Sequence, residues 1–237
     1  MSIAELEARE VALEAPTGLW RDALSRLRRN PGAIVGLCLV GLFVIVAIFA
    51  PLIATESPRV GDLSRLEGRC CPGPSTENLF GVDQQGRDEF SRIVYGARYS
   101  LVIGVVAVAF GLGIGLLLGS IAGYLGGIAD SIVMRLMDIM LAIPGLLLAI
   151  GIVAMLGPGL FQIMIAVGVT QIPIFARLLR GSILAQREND FVLAARSVGV
   201  RRRVILFGHI LPNAISPVIV QGTLALATAI IDVAGLG

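Results

Sequence analysis

Few residues of this sequence have the type and placement to do chemistry. Three carboxylates, Asp130, Asp138 and Asp232, stand at the ends of long apolar runs. An ionisable group in apolar surroundings is by default a candidate for moving a proton or an ion, although at a run's end solvent favours a structural use. His209 is the single histidine, too little for a metal cluster or an H-E-x-x-H site, and its place near Pro212 reads as a helix end. All 19 basic residues are arginine, so the lysine of a G-x-x-x-x-G-K-[ST] phosphate loop is lacking. The chain itself therefore offers no catalytic residue, no metal site and no ATP-binding motif. Cys38, Cys70 and Cys71 form no C-x-x-C pattern. An adjacent pair bridges only with strain, so Cys70 and Cys71 read as loop thiols, or as thiols able to bond a partner if their loop faces an oxidising compartment.

The elements around these residues follow from composition. Hydrophobic residues make up 56% of the 237 and charged residues 15%, well below the roughly 25% charged of a soluble domain. A net charge of +2 is too small for a protein that relies on a basic surface to hold nucleic acid. Residues 34–54 carry no charge and are long enough for one helix across the ~30 Å hydrocarbon core. A second span starts at Tyr99 and stops near Tyr124, where glycines cluster in GYLGGIAD. Residues 139–176 are uncharged and too long for one crossing, and Gly157-Pro158-Gly159 divides them into a hairpin. A fifth span covers residues 210–231. Pro144 and Pro173 are expected to kink the third and fourth. Met134, Met137 and Met140 recur at helical spacing, a stripe more often used in packing than in lining a path.

Segment 177–212 holds Arg177, Arg180, Arg187, Arg196, Arg201, Arg202 and Arg203 against Glu188 and Asp190, which places it in the cytoplasm. Counting back puts the N-terminal residues 1–33 inside as well, where Arg21, Arg26, Arg28 and Arg29 precede Pro31. The early glutamates Glu5, Glu7, Glu10 and Glu14 have the wrong charge for a signal peptide, so the first span is kept as an anchor. Residues 55–98 then form an outer loop, and residues 99–237 the core. Within the cytoplasmic segment, FVLAARSVGVRRR reads as a short helix capped by Asn189 or Asp190, with Phe191, Ala194, Ala195 and Val198 on one apolar face and Gly199 as its left-handed stop. Two turns of helix do not hold alone in water. The helix rests either on headgroups or on a partner whose acids meet the arginines beyond Gly199.

The run LAARSVGVRRRVILFGHILP resembles the E-A-A-x-x-x-G-(x)9-I-x-L-P loop of bacterial ABC importer permeases. Ala194, Ala195, Gly199, Leu211 and Pro212 match, Leu193 replaces the glutamate and His209 the isoleucine. NLFGVDQQGRDEFSRIVYGARYSL is similar to an outer-loop stretch of the dipeptide, oligopeptide and nickel permeases. It matches at Gly81, Asp83, Gly86, Arg87, Asp88, Ser91, Arg92, Gly96, Arg98, Ser100 and Leu101, and departs at Asn78 and Val82. The start, LWRDALSRLRRNPGAIVGL, looks like the C-type second permease, so the likeness runs from Trp20 onward.

That resemblance implies an all-α polytopic transmembrane bundle of the type I ABC importer permease kind, with five spans here and a sixth expected after AGLG. It implies import of dipeptides or short oligopeptides across the bacterial inner membrane. The implied partners are a second homologous permease, one or two ATP-binding subunits and an extracytoplasmic binding protein. ATP and magnesium would sit on the ATPase subunits and none on this chain. Phe191, Leu193, Ala194, Ala195, Arg196, Gly199, Arg201 and Pro212 would couple to the ATPase. Nickel chelates or haem are alternative cargoes of the same mechanism. An ion-coupled transporter using Asp138 or Asp232 is the rival from another class.

Overall fold

The computed structural model describes Ser25, residues 27–66 and residues 71–236. Arg21, Arg26, Cys70 and the N-terminal glutamates lie outside these. The described residues are helical, apart from loops and one isolated antiparallel bridge between Val82 and Asp88. The chain forms two compact units, residues 1–95 and 96–237.

In the first unit, α1 (Pro31–Ile48) starts at an Asn30 cap whose Oδ1 accepts from the Ala33 N–H at 3.3 Å, with Pro31 in the first turn where no N–H is needed. Its mean hydropathy suits a bilayer, and among its residues Ala47 is buried. Such an all-round apolar helix needs lipid or another subunit around it. A short α2 (Ala50–Ile53) extends it.

The next long helix, α3 (Glu89–Leu125), begins ten residues before the expected Tyr99. At 37 residues it is ~55 Å long, about twice a hydrocarbon core. Arg92 and Arg98 fall in its first turns, and a charge-free criterion cannot see a helix that starts outside the bilayer.

In the second unit, α4 (Gly127–Ala142) and α5 (Gly145–Leu156) meet at a 92° bend. The third span, expected to kink at Pro144, is broken there. Pro144 stands at the break, where it cannot continue α4 and opens α5. Pro173, in contrast, sits buried within the uninterrupted α6 (Leu160–Arg187). After α7 (Asp190–Ser197) come α8 (Arg202–Val204), a π-helical turn at Ile205–Ile210, α9 (Leu211–Ala214) and α10 (Ser216–Leu236). Among the described residues, α1, α3, α6 and α10 are each long and apolar enough to cross a membrane, and the bent pair makes up to a fifth.

The core of this unit centres on α6, whose Phe175, Leu179 and Ile183 pack with Ile205, Ile210, Ala214 and Val218. What lets α3 approach α6 is a stripe of glycines four apart. A Cβ on Gly111 would lie 2.5 Å from the Gly168 carbonyl oxygen, on Gly115 2.6 Å from Phe175 Cβ, on Gly119 2.6 Å from the Ala176 carbonyl oxygen, and on Gly123 3.0 Å from Ile183 Cβ. Gly168 returns the contact, 2.8 Å from the Ala107 carbonyl oxygen. Two apolar helices in lipid gain little from hydrophobicity, so close backbone packing through small residues is what holds them. Met137 is fully buried against Ile172 and Ala176, with Met134 and Met140 beside it, so the methionine stripe packs.

Candidate functional site

Segment 177–212 is built onto helix ends. At the end of α6, Arg187 Nη1 donates to the Gly123 and Tyr124 carbonyl oxygens at 3.0 and 3.4 Å, satisfying acceptors that the last turn of α3 leaves open. Tyr124 Oη donates to the Arg202 carbonyl oxygen at 2.6 Å. Between these ties lies α7. Asn189 is its N-cap residue by position, but its side-chain amide donates to Gln186 Oε1 at 2.8 Å and makes no cap bond. The helix closes with the Val200 N–H on the Ala195 carbonyl oxygen at 3.1 Å and with Gly199 at φ +80°, the left-handed stop read from the sequence.

The apolar face expected from the sequence is divided differently. Val192 is the fully buried residue of α7, and Ala195 and Val200 pack partly with it against the core. Phe191, Ala194 and Val198 share the opposite side and are exposed, Val198 by 83% and Phe191 by 40%, with Leu193 at 48% next to them. Helical period alone groups residues onto a face. It does not say that a single inward valine suffices to seat the helix and that the larger face looks out. Arg196, Arg201, Arg202 and Arg203 are exposed, and so is Pro212, which lies in α9 just beyond the π-helical turn. His209 belongs to that turn and is exposed.

Two of the three candidate carboxylates are matched. Asp130 takes Arg180 in a two-pronged pair, Nε–Oδ1 at 3.0 Å and Nη2–Oδ2 at 2.5 Å. Asp138 pairs with Arg177 at 2.5 Å. Both pairs join α4 to α6. Asp232 is half-buried on α10.

The signature of residues 78–101 closes on itself. The Asp83 N–H donates to the Arg87 carbonyl oxygen at 3.0 Å, and Asp83 Oδ1 accepts from the Gln85 and Arg87 N–H groups at 2.8 and 2.9 Å. Asp83 Oδ2 takes Arg92 Nη1 at 2.8 Å. Gly86 (φ +73°) and Gly81 (φ +86°) are needed because a Cβ would strike the Asp62 oxygen at 2.2 Å and the Pro72 oxygen at 2.5 Å. Asp88 is fully buried, with Oδ2 accepting from Thr55 Oγ1 at 3.0 Å and from the Ser91 N–H at 2.8 Å. Ser91 Oγ in turn accepts from the Glu56 N–H at 3.0 Å. Thr55 and Glu56, partners that the motif reading did not include, thus carry the chain after α2 to the start of α3. Burial works to raise the Asp88 carboxyl, but hydrogen bonds from Ser91 and Thr55 and the charge of Arg65 hold it below the usual carboxylate range. Asp83 is likewise low, burial being outweighed by the Arg87 and Gln85 N–H groups and the nearby arginines.

Of the signature, Asp83, Asp88, Ser91 and Arg92 are used in ordering the loop. Arg87 is half-exposed and lines a surface depression of about 460 Å³ together with Phe80, Gln84 and Gln85. Cys71 lies at its rim, and Cys38 is exposed on α1.

Comparison with known proteins agrees with this architecture. Residues 115–237 match the family described as binding-protein-dependent transport system inner membrane component. Residues 18–66 match the N-terminal TM domain of oligopeptide transport permease C. The dipeptide transport system permease protein of Alkalihalophilus pseudofirmus is 48% identical over 219 residues, 92% of this chain and 70% of that protein. The oligopeptide transport system permease protein of Bacillus subtilis is 41% identical over 90% of this chain and 68% of its own length. A glutathione transport system permease protein of Escherichia coli is 43% identical over 92% and 71%. With its helices long and apolar enough to cross a bilayer several times, this chain belongs to the inner membrane permeases of binding-protein-dependent transport systems, in their dipeptide and oligopeptide branch.

Proposed function

We propose that the chain is one of two homologous permease subunits of an ATP-driven importer and that it carries short peptides inward. The observation that supports this reading is α7. A helix anchored by Val192 and by helix-end ties holds an apolar face of Phe191, Leu193, Ala194 and Val198 outward, with arginines beyond Gly199 beside it. An exposed apolar face on a short, fixed helix outside the apolar spans is what a docking joint requires. Its occupant is an ATPase subunit, which holds the ATP and magnesium. Docking that differs between nucleotide states is the only way such a joint can move the spans. Gly199, Ala195 and Pro212 shape the joint, while Arg196 and Arg201 flank it.

Segment 177–212 is cytoplasmic in this reading, and so is the N-terminus, on the strength of the two arginine clusters. The outer unit faces an extracytoplasmic binding protein, with Arg87 and the glutamines beside it as the exposed part of the signature. Peptide cargo rests on the relatives, whose names specify dipeptides, oligopeptides and glutathione.

The test is purification of the tagged chain from membranes with its partner subunits. The wild type retains an ATPase. Ala194→Asp and Val198→Asp, on the outer face, keep the same size-exclusion profile and lose it, whereas Val192→Asp fails to fold. A wild type that retains no ATPase, with no ATP-dependent uptake of labelled dipeptide in vesicles, sinks the reading. Uptake of nickel chelate or haem in place of peptide would change the cargo alone.

A further inference from the structure

Four arginines of the described chain are matched by carboxylates: Arg65 by Glu56, Arg92 by Asp83, Arg177 by Asp138 and Arg180 by Asp130. Three others are treated differently. Arg187, Arg196 and Arg202, from α6, α7 and α8, line one pocket of about 450 Å³ with Tyr124 and Leu125 at the end of α3. None of the three forms an ion pair among the described residues. Glu188 and Asp190, the acids near them in sequence, do not line the pocket. Arg187 Nε is buried and has no hydrogen-bond acceptor among the described residues.

We infer that this pocket holds the phosphate of an anionic phospholipid headgroup. Gathering three guanidinium groups on one cavity costs repulsion that a phosphate in their midst reverses, and guanidinium is the side chain best shaped for phosphate oxygens. The Tyr124–Arg202 and Arg187–Gly123 bonds fix the pocket's walls, so little ordering remains for binding. A lipid, in preference to a soluble anion or a protein carboxylate, follows from what borders the arginines. Leu125 in the lining is 68% exposed, and Ile128, past the Gly126 break at the start of α4, is 80% exposed. They stand where the apolar run of α3 ends, so acyl chains meet them when the headgroup sits among the arginines. The apolar face of α7 assigned to the ATPase is a separate set of residues, and the inference does not depend on the cargo.

The complete complex in detergent is titrated with phosphatidylglycerol or phosphatidylcholine, and lipid bound to this chain is counted by native mass spectrometry. Wild type is expected to retain phosphatidylglycerol about tenfold better than phosphatidylcholine. Arg196→Gln with Arg202→Gln, both exposed and so tolerated by the fold, should bring the ratio near one. Arg201→Gln with Arg203→Gln removes as much charge from the same segment outside the pocket and should leave the ratio within about twofold. Equal loss in both pairs would mean diffuse attraction and overturn the site, as would no loss in either. Full displacement of the lipid by millimolar inorganic phosphate would make it a free-anion site. If the Arg196/Arg202 pair keeps its lipid but sheds the ATPase, the pocket is a protein interface and the inference is wrong.

Discussion

Asp88 shows how a single side chain in this protein is committed. It is fully buried, and among the described residues one carboxylate oxygen takes two hydrogen bonds and the other, Oδ1, takes none. Its low pKa therefore reflects donors that need the charged form. A group whose pKa is depressed on folding contributes stability above its unfolded value, near 4, and loses that contribution as pH falls through the folded value. Amide exchange across residues 55–91 should accordingly stay slow from neutral pH to about 5 and accelerate only below about 4. Asp83 has the same sign and adds to the effect. In Asp88→Asn the amide oxygen can keep both bonds, but the NH2 group then stands as a buried donor at the place of Oδ1, which should cost about 1–3 kcal/mol at neutral pH while weakening the acid dependence. Unchanged thermal stability in that variant would show that the network orders nothing. The identity of these residues was legible in the motif, whereas their mutual use was not. Thr55 lies 33 positions from Asp88, and no spacing rule connects a loop start to a helix start so far away.

At the scale of elements, the glycine stripe of α3 makes a prediction that separates neighbours. Gly113 has open space where a Cβ would go, while Gly119 faces the Ala176 backbone at 2.6 Å. Gly119→Leu must push α3 off α6 and should cost about 3 kcal/mol or more, read as loss of monodisperse protein. Gly113→Leu, earlier on the same helix, should be nearly neutral in the same assay. If both behave alike, close α3–α6 packing is not what holds the bundle. The stripe was present in the sequence as glycines at every fourth position. A reading that follows charge passes over it, because a glycine at helical period looks like any other apolar residue. The same emphasis on charge found the spans and misplaced two ends. Arg92 and Arg98 concealed the first ten residues of α3, and Asp130, Arg135 and Asp138 concealed that α4 belongs with α5. Both carboxylates of α4 meet arginines of α6 as ion pairs: Asp138–Arg177 stays exposed, as the solvated-end reading expects, while Asp130–Arg180 is partly buried.

Across the whole molecule, arginines paired with carboxylates differ from those left exposed beside α7, and the difference decides how the subunit should respond to salt. Pairs such as Arg180–Asp130 are satisfied internally, partly buried and little screened. Arg201 and Arg203 are exposed and form no ion pair among the described residues. They flank an apolar face that the proposed joint buries, so attachment of the ATPase should have a screened part and an unscreened part. Retention of ATPase by the purified wild-type chain should fall several-fold between roughly 0.1 and 0.5 M salt, over which the Debye length shrinks from about 10 Å to about 4 Å. It should not vanish, because Phe191, Leu193 and Val198 contribute independently of salt. Arg201→Gln with Arg203→Gln should start lower and lose the slope. Val198→Ser should lower retention at every salt concentration and keep the slope. Flat retention in the wild type would assign the joint to the apolar face alone and leave these arginines to the membrane surface. Complete loss at 0.5 M would reverse that assignment and make the outward face of α7 incidental.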